Sequence, residues 1–144
     1  MSETDRREIA FQTDRPNTCF GCGADNPNGL GLRFFETNEG VEVEYAVHEH
    51  HGGAPGVVHG GIQATLLDEA LCMTAYAKES TPVVTGELTV RYIGPLPTES
   101  PLLIRGRITE RRGTSFFAEG EIFIVGKPEV VTRARARLFA AKMD

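Results

Sequence analysis

A histidine, two glycines and an aspartate share one short segment, HGGIQATLLDEA, which spans residues 59–70. From residue 59 to about residue 78, good helix formers dominate without proline or strand alternation, which predicts a helix. The first N–H groups of a helix have no intrahelical acceptor and form the positive end of its dipole. Gly60 and Gly61 would let a polarised carbonyl oxygen approach those donors, although glycines there could equally serve tight helix–sheet packing.

Asp68 places a carboxylate on an apolar part of this helix. Its neighbours about one or two turns away are all small or apolar: Ala64, Leu71, Cys72 and Ala75. A carboxylate in such surroundings is costly unless it is paired or used chemically, so Asp68 is a candidate functional residue. Glu69 points about 100° away, and a hydrogen-bonded structural role is the better interpretation for it. His59 could be a general base, a ligand or a residue that fixes the preceding loop.

The spacing of this segment separates its two ends. Nine residues of helix put His59 and Asp68 roughly 13 Å apart, at about 1.5 Å per residue. One reacting carbon therefore cannot lie beside both the Gly60 N–H and Asp68 of the same helix. If both groups act at one site, they must come from different subunits, with two helices antiparallel across a two-fold axis and two equivalent sites per dimer.

The rest of the sequence predicts strands around this helix. Alternating apolar residues indicate a hairpin before the helix and four strands after it. The predicted strands are residues 30–36, 41–47, 83–93, 102–111, 115–125 and 130–140. A single helix that is apolar over most of its circumference needs a sheet that curls around it. We therefore predict an α+β fold with one long central helix and a curled, largely antiparallel sheet.

Length and composition indicate one globular domain. The chain has 144 residues and 15.7 kDa, with 40% hydrophobic and 24% charged residues, which is ordinary for a folded protein. The net charge of -5 argues against nucleic-acid binding. Because we find neither an apolar run of membrane-spanning length nor a signal-peptide core, we expect a cytoplasmic protein without membrane contact. Residues 1–18 are charged and mostly aperiodic, which predicts a flexible arm or a short helix before a domain of residues 19–144.

Three segments carry a resemblance to a known family: GAPGVVHGGIQATLLDEA at the start of the helix, VVTGELTVRYIGPLP in the next strand, and CFGCGADNPNGLGLRF upstream. From about Cys19 onward, the sequence resembles the hotdog-fold acyl-CoA thioesterases related to the phenylacetate-pathway (PaaI-like) enzymes. The resemblance implies hydrolysis of an acyl-CoA to a free acid and CoA, with no cofactor. It also implies homodimers with shared sites, and the sequence leaves open whether these pair into tetramers.

The resemblance also implies roles for individual residues. Asp68 matches the family's catalytic aspartate, as nucleophile or as base for a water molecule. Gly60 would supply the N–H donor that stabilises the thioester oxyanion, and Gly61 is a second candidate donor that would bind the substrate. His59 would shape that site rather than act as the base. Thr85 matches a Ser/Thr position that positions the aspartate or its water, although an ordinary β-branched strand residue is the alternative.

One position departs from the family pattern. Several members carry an asparagine six residues before the histidine, where it helps to hold a water, and this chain has Gly53 there. The group that orients the water is therefore not predicted, and His50 and His51 are weak candidates.

Coenzyme A ends in a phosphate-bearing nucleotide, so positively charged side chains are expected at the entrance of the substrate pocket. Arg91, Arg111 and Arg112 are the candidates, with a solvated surface as the alternative interpretation. Asn26 belongs to a Gly/Asn/Pro-rich turn that the resemblance places near the substrate pocket.

Cys19 and Cys22 could form half of a zinc site, which a histidine among residues 48–51 would complete. We find one C-x-x-C pair and an odd total of three cysteines, so we predict neither a metal site nor a disulfide scaffold. Cys22 has no assignable histidine partner that would make it a nucleophile.

Two other functions are compatible with the same fold: a hotdog hydratase or dehydratase acting on acyl thioesters, and a non-catalytic acyl-CoA-binding module. The T-x-x-L-x-V-x-Y strand that follows HGG and Asp68 favours the thioesterase. The sequence does not predict the acyl group, nor whether coenzyme A or an acyl carrier protein is preferred.

Overall fold

The computed structural model describes residues 6–141, and a single α-helix lies at the centre of the fold. This helix, α1, spans Gly60–Glu79 and ends at Ser80, whose φ of 52° is left-handed. It turns apolar side chains toward the sheet over much of its length. Its buried residues are Gln63, Leu66, Leu67, Ala70, Leu71, Met73, Thr74 and Ala75. The predicted helix is confirmed, with each end shifted by one residue.

Seven strands form one antiparallel sheet around α1. In chain order they are β1 (Glu8–Ile9), β2 (Phe34–Glu36), β3 (Gly40–Ala46), β4 (Val83–Tyr92), β5 (Pro101–Arg112), β6 (Ser115–Ile124) and β7 (Val130–Ala140). In space their order is β1-β2-β3-β5-β6-β7-β4, and every neighbouring pair is antiparallel. The predicted α+β hotdog fold, with one long helix and a curled antiparallel sheet, is confirmed.

The core lies between α1 and the inner face of the sheet. Side chains that alternate inward along the strands are buried there, among them Ile104, Ile122 and Leu138. The helix approaches the sheet closely where Gly106 of β5 pairs with Gly120 of β6. A Cβ at Gly106 would lie 2.8 Å from Thr74 Oγ1, so these glycines allow the close packing.

The hairpin before the helix is confirmed, but its first strand is shorter than predicted. β2 begins at Phe34 rather than at residue 30. Gly31 has a φ of 66°, a left-handed conformation that interrupts an extended strand. On either side of it, the Leu30 and Leu32 N–H groups donate to Phe20 O and Gly21 O, so this stretch is bonded to the preceding loop.

The N-terminal segment contributes a strand that the sequence does not predict. β1 pairs with β2, and Ile9 is buried. The Phe11 ring packs on Tyr76 of α1 with a centroid distance of 5.2 Å. Two residues are too few to show a strand period, which is why alternation misses β1. Residues 1–5 of the predicted arm and residues 142–144 of the predicted domain lie outside the described residues. Within residues 6–141, no helix is both long and apolar enough to span a bilayer.

Candidate active site

Asp68 lies on α1 and is held by a residue of the neighbouring strand β4. The Thr85 hydroxyl donates a hydrogen bond to Asp68 Oδ1 at 2.5 Å. Asp68 is partly exposed and Thr85 is exposed, so solvent reaches the pair. The structure therefore brings together two of the four residues that the sequence analysis considered for catalysis.

A β-bulge at Gly86 gives Thr85 its orientation. In the pairing with β7, Thr85 is opposite Leu138, a core residue. The next paired residue, Glu87, is opposite Arg137, so β4 contains one extra residue between these pairs. Cross-strand partners point to the same side of a sheet, so Thr85 faces the helix with Leu138. Simple alternation would have put Thr85 on the outer face with Glu87; the bulge re-aims it.

The N-terminus of α1 forms a second part of the candidate site. His59 caps the helix, since its Nδ1 accepts a hydrogen bond from the Gly61 N–H at 2.9 Å. The Gly61 N–H is thus already bonded, whereas the Gly60 N–H has no intrahelical acceptor by helix geometry. A neutral imidazole that accepts at Nδ1 carries its proton at Nε2. This arrangement favours the capping role of His59 over the role of general base.

Tyr92, at the other end of β4, is a contact that sequence reasoning missed. Its hydroxyl donates to Gly60 O at 2.8 Å and so fixes the start of α1 to the strand. The sequence analysis treated Tyr92 as one more residue of the strand motif. The signal that could have found the contact is the alternation of Leu88, Val90 and Tyr92, which puts Tyr92 on the helix-facing side of β4.

The loop before α1 is bonded to the helix start through His51. The His59 N–H donates to His51 O at 3.1 Å. His51 Nδ1 is buried and has no hydrogen-bond partner among the described residues. Burial, followed by the charges of His50 and His48, lowers the pKa of His51. A Cβ at Gly53 would lie 3.3 Å from His59 Cα, so Gly53 allows the loop to pass close to the helix start.

Cys72 lies beside the Asp68–Thr85 pair, one turn further along α1. Its Sγ is 3.3 Å from Thr85 Oγ1. Burial chiefly, with a further contribution from the Asp68 charge, raises the pKa of Cys72 to about 12. The thiol is therefore protonated at neutral pH and is a poor nucleophile. Its position four residues after Asp68 puts both side chains on one helix face.

The arginines predicted to bind coenzyme A phosphates lie in different parts of the fold. Arg91 is on the outer face of β4. Arg111 forms an ion pair with Glu79 at the C-terminal end of α1, and Arg112 pairs with Glu110 at 2.8 Å. The part of the chain that the structure describes does not bring these three arginines into a single cluster.

Both polar atoms of the Asn26 side-chain amide form hydrogen bonds within the turn that contains Asn26. Nδ2 donates to Thr18 O at 3.0 Å, and Oδ1 accepts from the Asn28 N–H at 2.9 Å. Asparagine commonly stabilises turns in this way. A role of Asn26 in substrate binding stays a prediction.

Cys19 and Cys22 meet Glu69 where the loop that contains them packs on α1. Cys19 Sγ donates to Glu69 Oε1 at 3.1 Å, and the two sulfurs and a carboxylate oxygen all lie within 4.8 Å of one another. The predicted hydrogen-bonded role of Glu69 is confirmed. Burial, followed by the charge of Glu69, raises the pKa of Cys22. The third member of the group is Glu69 and not one of the histidines among residues 48–51 that the sequence suggested.

β4 is an edge strand with exposed apolar side chains. It pairs with β7 on one side, and no other strand of residues 6–141 pairs with it. Val84 and Tyr92 of β4 are 55% and 50% exposed, and Ile93, the residue after the strand, is 51% exposed. Exposed strand edges and apolar patches mark surfaces that contact other chains. This surface adjoins Thr85, and through it Asp68.

A helix N-terminus, a hydrogen-bonded aspartate further along the same helix, and a curled antiparallel sheet together define a hotdog-fold protein. The family described as "Thioesterase superfamily" matches residues 55–131, which is more than half of the chain. The chain belongs to this superfamily. The match includes α1 with Asp68 and the whole of β4.

Curated relatives share this region at moderate identity. "Acyl-coenzyme A thioesterase THEM4" of Rattus norvegicus is 30% identical over 87 residues, which cover 60% of this chain and 37% of that protein. "MIOREX complex component 3" of Saccharomyces cerevisiae is 29% identical over 93 residues, covering 63% and 34%. "Acyl-coenzyme A thioesterase 13" of Homo sapiens is 25% identical over 96 residues, covering 66% and 69%. The match thus spans about a third of the length of the rat and yeast proteins.

Solved structures have the same fold. Zebra fish thioesterase superfamily member 2 superposes with a TM-score of 0.71 at 22% identity, covering 84% of this chain and 88% of that one. The E. coli PaaI protein from the phenylacetic acid degradation operon gives 0.69 at 18% identity, covering 76% and 83%. The BH2602 protein from Bacillus halodurans, whose structure was determined with CoA, gives 0.65 at 24% identity, covering 73% and 70%. The resemblance to PaaI-like proteins is thereby confirmed at the level of the fold.

Proposed function

We propose that this protein is an acyl-CoA thioesterase, which hydrolyses the thioester of an acyl-CoA to a free acid and CoA. The observation that carries the proposal is the hydrogen bond from Thr85 to Asp68 Oδ1, because it holds a solvent-accessible carboxylate in a fixed orientation. Membership in the thioesterase superfamily and the names of the rat and human relatives support the same reaction. The coenzyme found with the Bacillus halodurans protein supports CoA as the carrier.

Gly60 is the better of the two glycines for stabilising the thioester oxyanion. Attack on a thioester puts negative charge on its carbonyl oxygen, which a preorganised N–H donor stabilises. The Gly61 N–H is bonded to His59 Nδ1, whereas the Gly60 N–H lies in the first helical turn without an intrahelical acceptor. Tyr92 bonds the carbonyl of Gly60 and so helps to fix the direction of this peptide.

Asp68 acts in one of two ways that give the same products. As a general base it takes a proton from water, whose oxygen attacks the carbonyl carbon; the C–S bond then breaks and the sulfur leaves as the CoA thiolate, which takes a proton. As a nucleophile it forms an acyl anhydride with release of CoA, and water then hydrolyses the anhydride. In both cases Thr85 donates to the carboxylate and holds it toward the carbonyl carbon.

The site is shared between two subunits. Gly60 and Asp68 are eight residues apart on one helix, which separates them by roughly 12 Å. A thioester carbonyl is far smaller, so Gly60 and Asp68 of one subunit cannot act on the same group. The exposed edge of β4, with Val84, Tyr92 and Ile93, supports an isologous contact there. Such a contact would bring each Asp68 toward the Gly60 of the other subunit.

The proposal is tested by thiol release from a panel of acyl-CoA esters, with Gly60→Pro as the diagnostic variant. Proline removes the N–H of Gly60, yet it is well tolerated at the first position of a helix. His59 has φ and ψ of -57° and 138°, which suit a residue before proline. Gly60→Ala is the matched control, because it keeps the N–H and its Cβ would lie 3.4 Å from Tyr92 Oη, an ordinary contact.

We expect Gly60→Pro to lower kcat about 10²- to 10³-fold and Gly60→Ala to change it little. Equal activity of the two variants would contradict the oxyanion role of Gly60. An Asp68→Asn protein that stays folded and keeps wild-type thiol release would overturn the assignment of Asp68. Hydration of crotonyl-CoA without thiol release would point to the hydratase instead.

A further inference from the structure

We propose that Cys19, Cys22 and Glu69 form a binding site for a divalent transition-metal ion, with Zn²⁺ as the best-suited occupant. The two sulfurs and a Glu69 oxygen lie within 4.8 Å of one another, and each residue is partly buried. Cys19 Sγ is 3.1 Å from Glu69 Oε1. Zinc–sulfur bonds of about 2.3 Å and zinc–oxygen bonds of about 2.0–2.2 Å give tetrahedral edges of roughly 3.5–3.8 Å. The three donor atoms are therefore spaced as zinc ligands are, within small side-chain adjustments.

The backbone of the cysteine loop is fixed on both sides of the two thiols. The Gly23 N–H donates to Cys19 O at 2.9 Å and closes the C-x-x-C turn. The Leu30 N–H donates to Phe20 O at 2.7 Å, and the Leu32 N–H donates to Gly21 O at 2.9 Å. Both residues between the cysteines are thus tied to the strand region that follows. A turn held in this way presents both sulfurs without a large ordering cost on metal binding.

Glycine at position 21 lets Glu69 reach the two thiols. A Cβ at Gly21 would lie 2.1 Å from Glu69 Cγ and 2.4 Å from its Cδ, so any other residue would displace this carboxylate. A Cβ at Gly23 would lie 2.5 Å from the Cys19 backbone nitrogen, so the turn is tight there as well. Gly21 thus lets the loop approach the helix, and Gly23 lets the loop close its own turn.

The donor types select the metal. Two thiolates with one carboxylate suit Zn²⁺, whereas Mg²⁺ and Ca²⁺ prefer sites made of oxygen donors. Three protein ligands leave a fourth tetrahedral position for water. Among the described residues no Lys or Arg forms an ion pair with Glu69, so a bound cation would neutralise this carboxylate.

The site would connect the loop to α1 one residue after Asp68. Its expected role is to stabilise the position of the helix, since Glu69 is rooted on α1 and both cysteines lie on the loop. Metal binding and its effect on stability are independent of the proposed thioesterase activity. Metal removal should therefore lower the melting temperature whether or not the protein hydrolyses acyl-CoA.

The test is a titration of the tag-free, full-length, reduced protein with Co²⁺, which replaces Zn²⁺ and reports its ligands by absorption. We expect about one Co²⁺ per chain, with a near-ultraviolet thiolate-to-cobalt band and the visible bands of a tetrahedral ion. Zn²⁺ should abolish both bands by displacing the Co²⁺ and should raise the melting temperature. Cys19→Ser and Cys22→Ser should each lose at least about half of the thiolate band, because one of the two thiolate ligands is gone, and Glu69→Gln should bind more weakly.

Cys72→Ser is the matched control, since Cys72 lies outside this cluster and should leave the spectrum unchanged. Absence of a thiolate band in the reduced wild-type protein with excess Co²⁺ would overturn the proposal, and this result needs no variant to fold. A band that keeps its full intensity in both folded Cys19→Ser and Cys22→Ser proteins, or one that Cys72→Ser removes, would overturn it equally.

Discussion

Replacing Thr85 by valine removes the hydroxyl that holds Asp68 while keeping the shape and branching of the side chain. The lost bond is a hydroxyl-to-carboxylate hydrogen bond of 2.5 Å. Hydrogen bonds to charged groups contribute about 1.5–3 kcal/mol, and the exposure of Thr85 lets water replace part of this. We therefore expect a loss of about 1–2 kcal/mol in transition-state stabilisation, which corresponds to a fall of roughly 5- to 30-fold in kcat/KM.

The assay is steady-state thiol release from the best acyl-CoA substrate of the panel. Because Thr85 contacts Asp68 and is not expected to carry the binding of coenzyme A, the loss should appear mainly in kcat. Thr85→Ser keeps a hydroxyl donor and should retain most of the activity. Thr89→Val is the matched control, since Thr89 lies on the same strand but faces outward, opposite Arg135.

A folded Thr85→Val protein whose kcat/KM stays within about twofold of wild type would refute a catalytic role for this bond, because that change is less than the smallest loss expected from it. A Thr85→Ser protein as impaired as Thr85→Val would refute it too, because the effect would then not come from the hydroxyl.

Three further predictions concern the surroundings of the site. Gly86→Ala would put a Cβ 2.2 Å from the Phe139 ring at the bulge, so it should lower the free energy of unfolding by about 1–3 kcal/mol. Gly94→Ala, whose Cβ would lie 3.9 Å from Val131, should not lower it. Equal free energies of unfolding for the two variants would refute this prediction. The pKa of Cys72 is raised to about 12 in the folded protein, so little reactive thiolate is present at pH 8. In a protein whose only cysteine is Cys72, alkylation at pH 8 should therefore be at least about 100-fold slower in the folded than in the unfolded state. Similar alkylation rates in the two states would contradict that pKa. The pKa of His51 is lowered in the folded protein, so below pH about 6.5 the unfolded chain binds the proton more readily and the free energy of unfolding should fall on acidification. His51→Gln should weaken this pH dependence. Denaturant melts that give His51→Gln the same pH dependence as wild type would count against the prediction.

Most of the fold follows from patterns of residue type along the chain. The central helix and the last four strands were predicted to within a residue or two at each end, because long periodic segments are the strongest signal in a sequence. β1 has two residues and no period to detect. The predicted first strand was too long because the alternation continues through Gly31, whose left-handed φ ends the extended segment in the structure.

The candidate site was predicted less completely, because several of its contacts depend on irregularities and long-range packing. The sequence suggested Thr85 through a resemblance, but the bulge that turns it toward Asp68 was not predicted, although Gly86 within a strand is a typical sign of one. The pairing of Glu69 with Cys19 joins residues 50 positions apart, which no local pattern can show. The sequence put the Gly60 amide ahead of the Gly61 amide only through a resemblance, and the physical reason, the bond from the Gly61 N–H to the His59 cap, is visible in the structure alone.

The central claim is that each site combines Gly60 of one subunit with Asp68 of the other, and mixed dimers test it directly. Gly60→Pro and Asp68→Asn subunits, each inactive alone, are unfolded and refolded together in equal amounts. If the site is shared, half of the dimers are mixed and each has one intact site, so activity should return to about a quarter of the wild-type value. If each subunit carries its own complete site, every site in the mixture has a defect and activity should stay at the level of the separate variants.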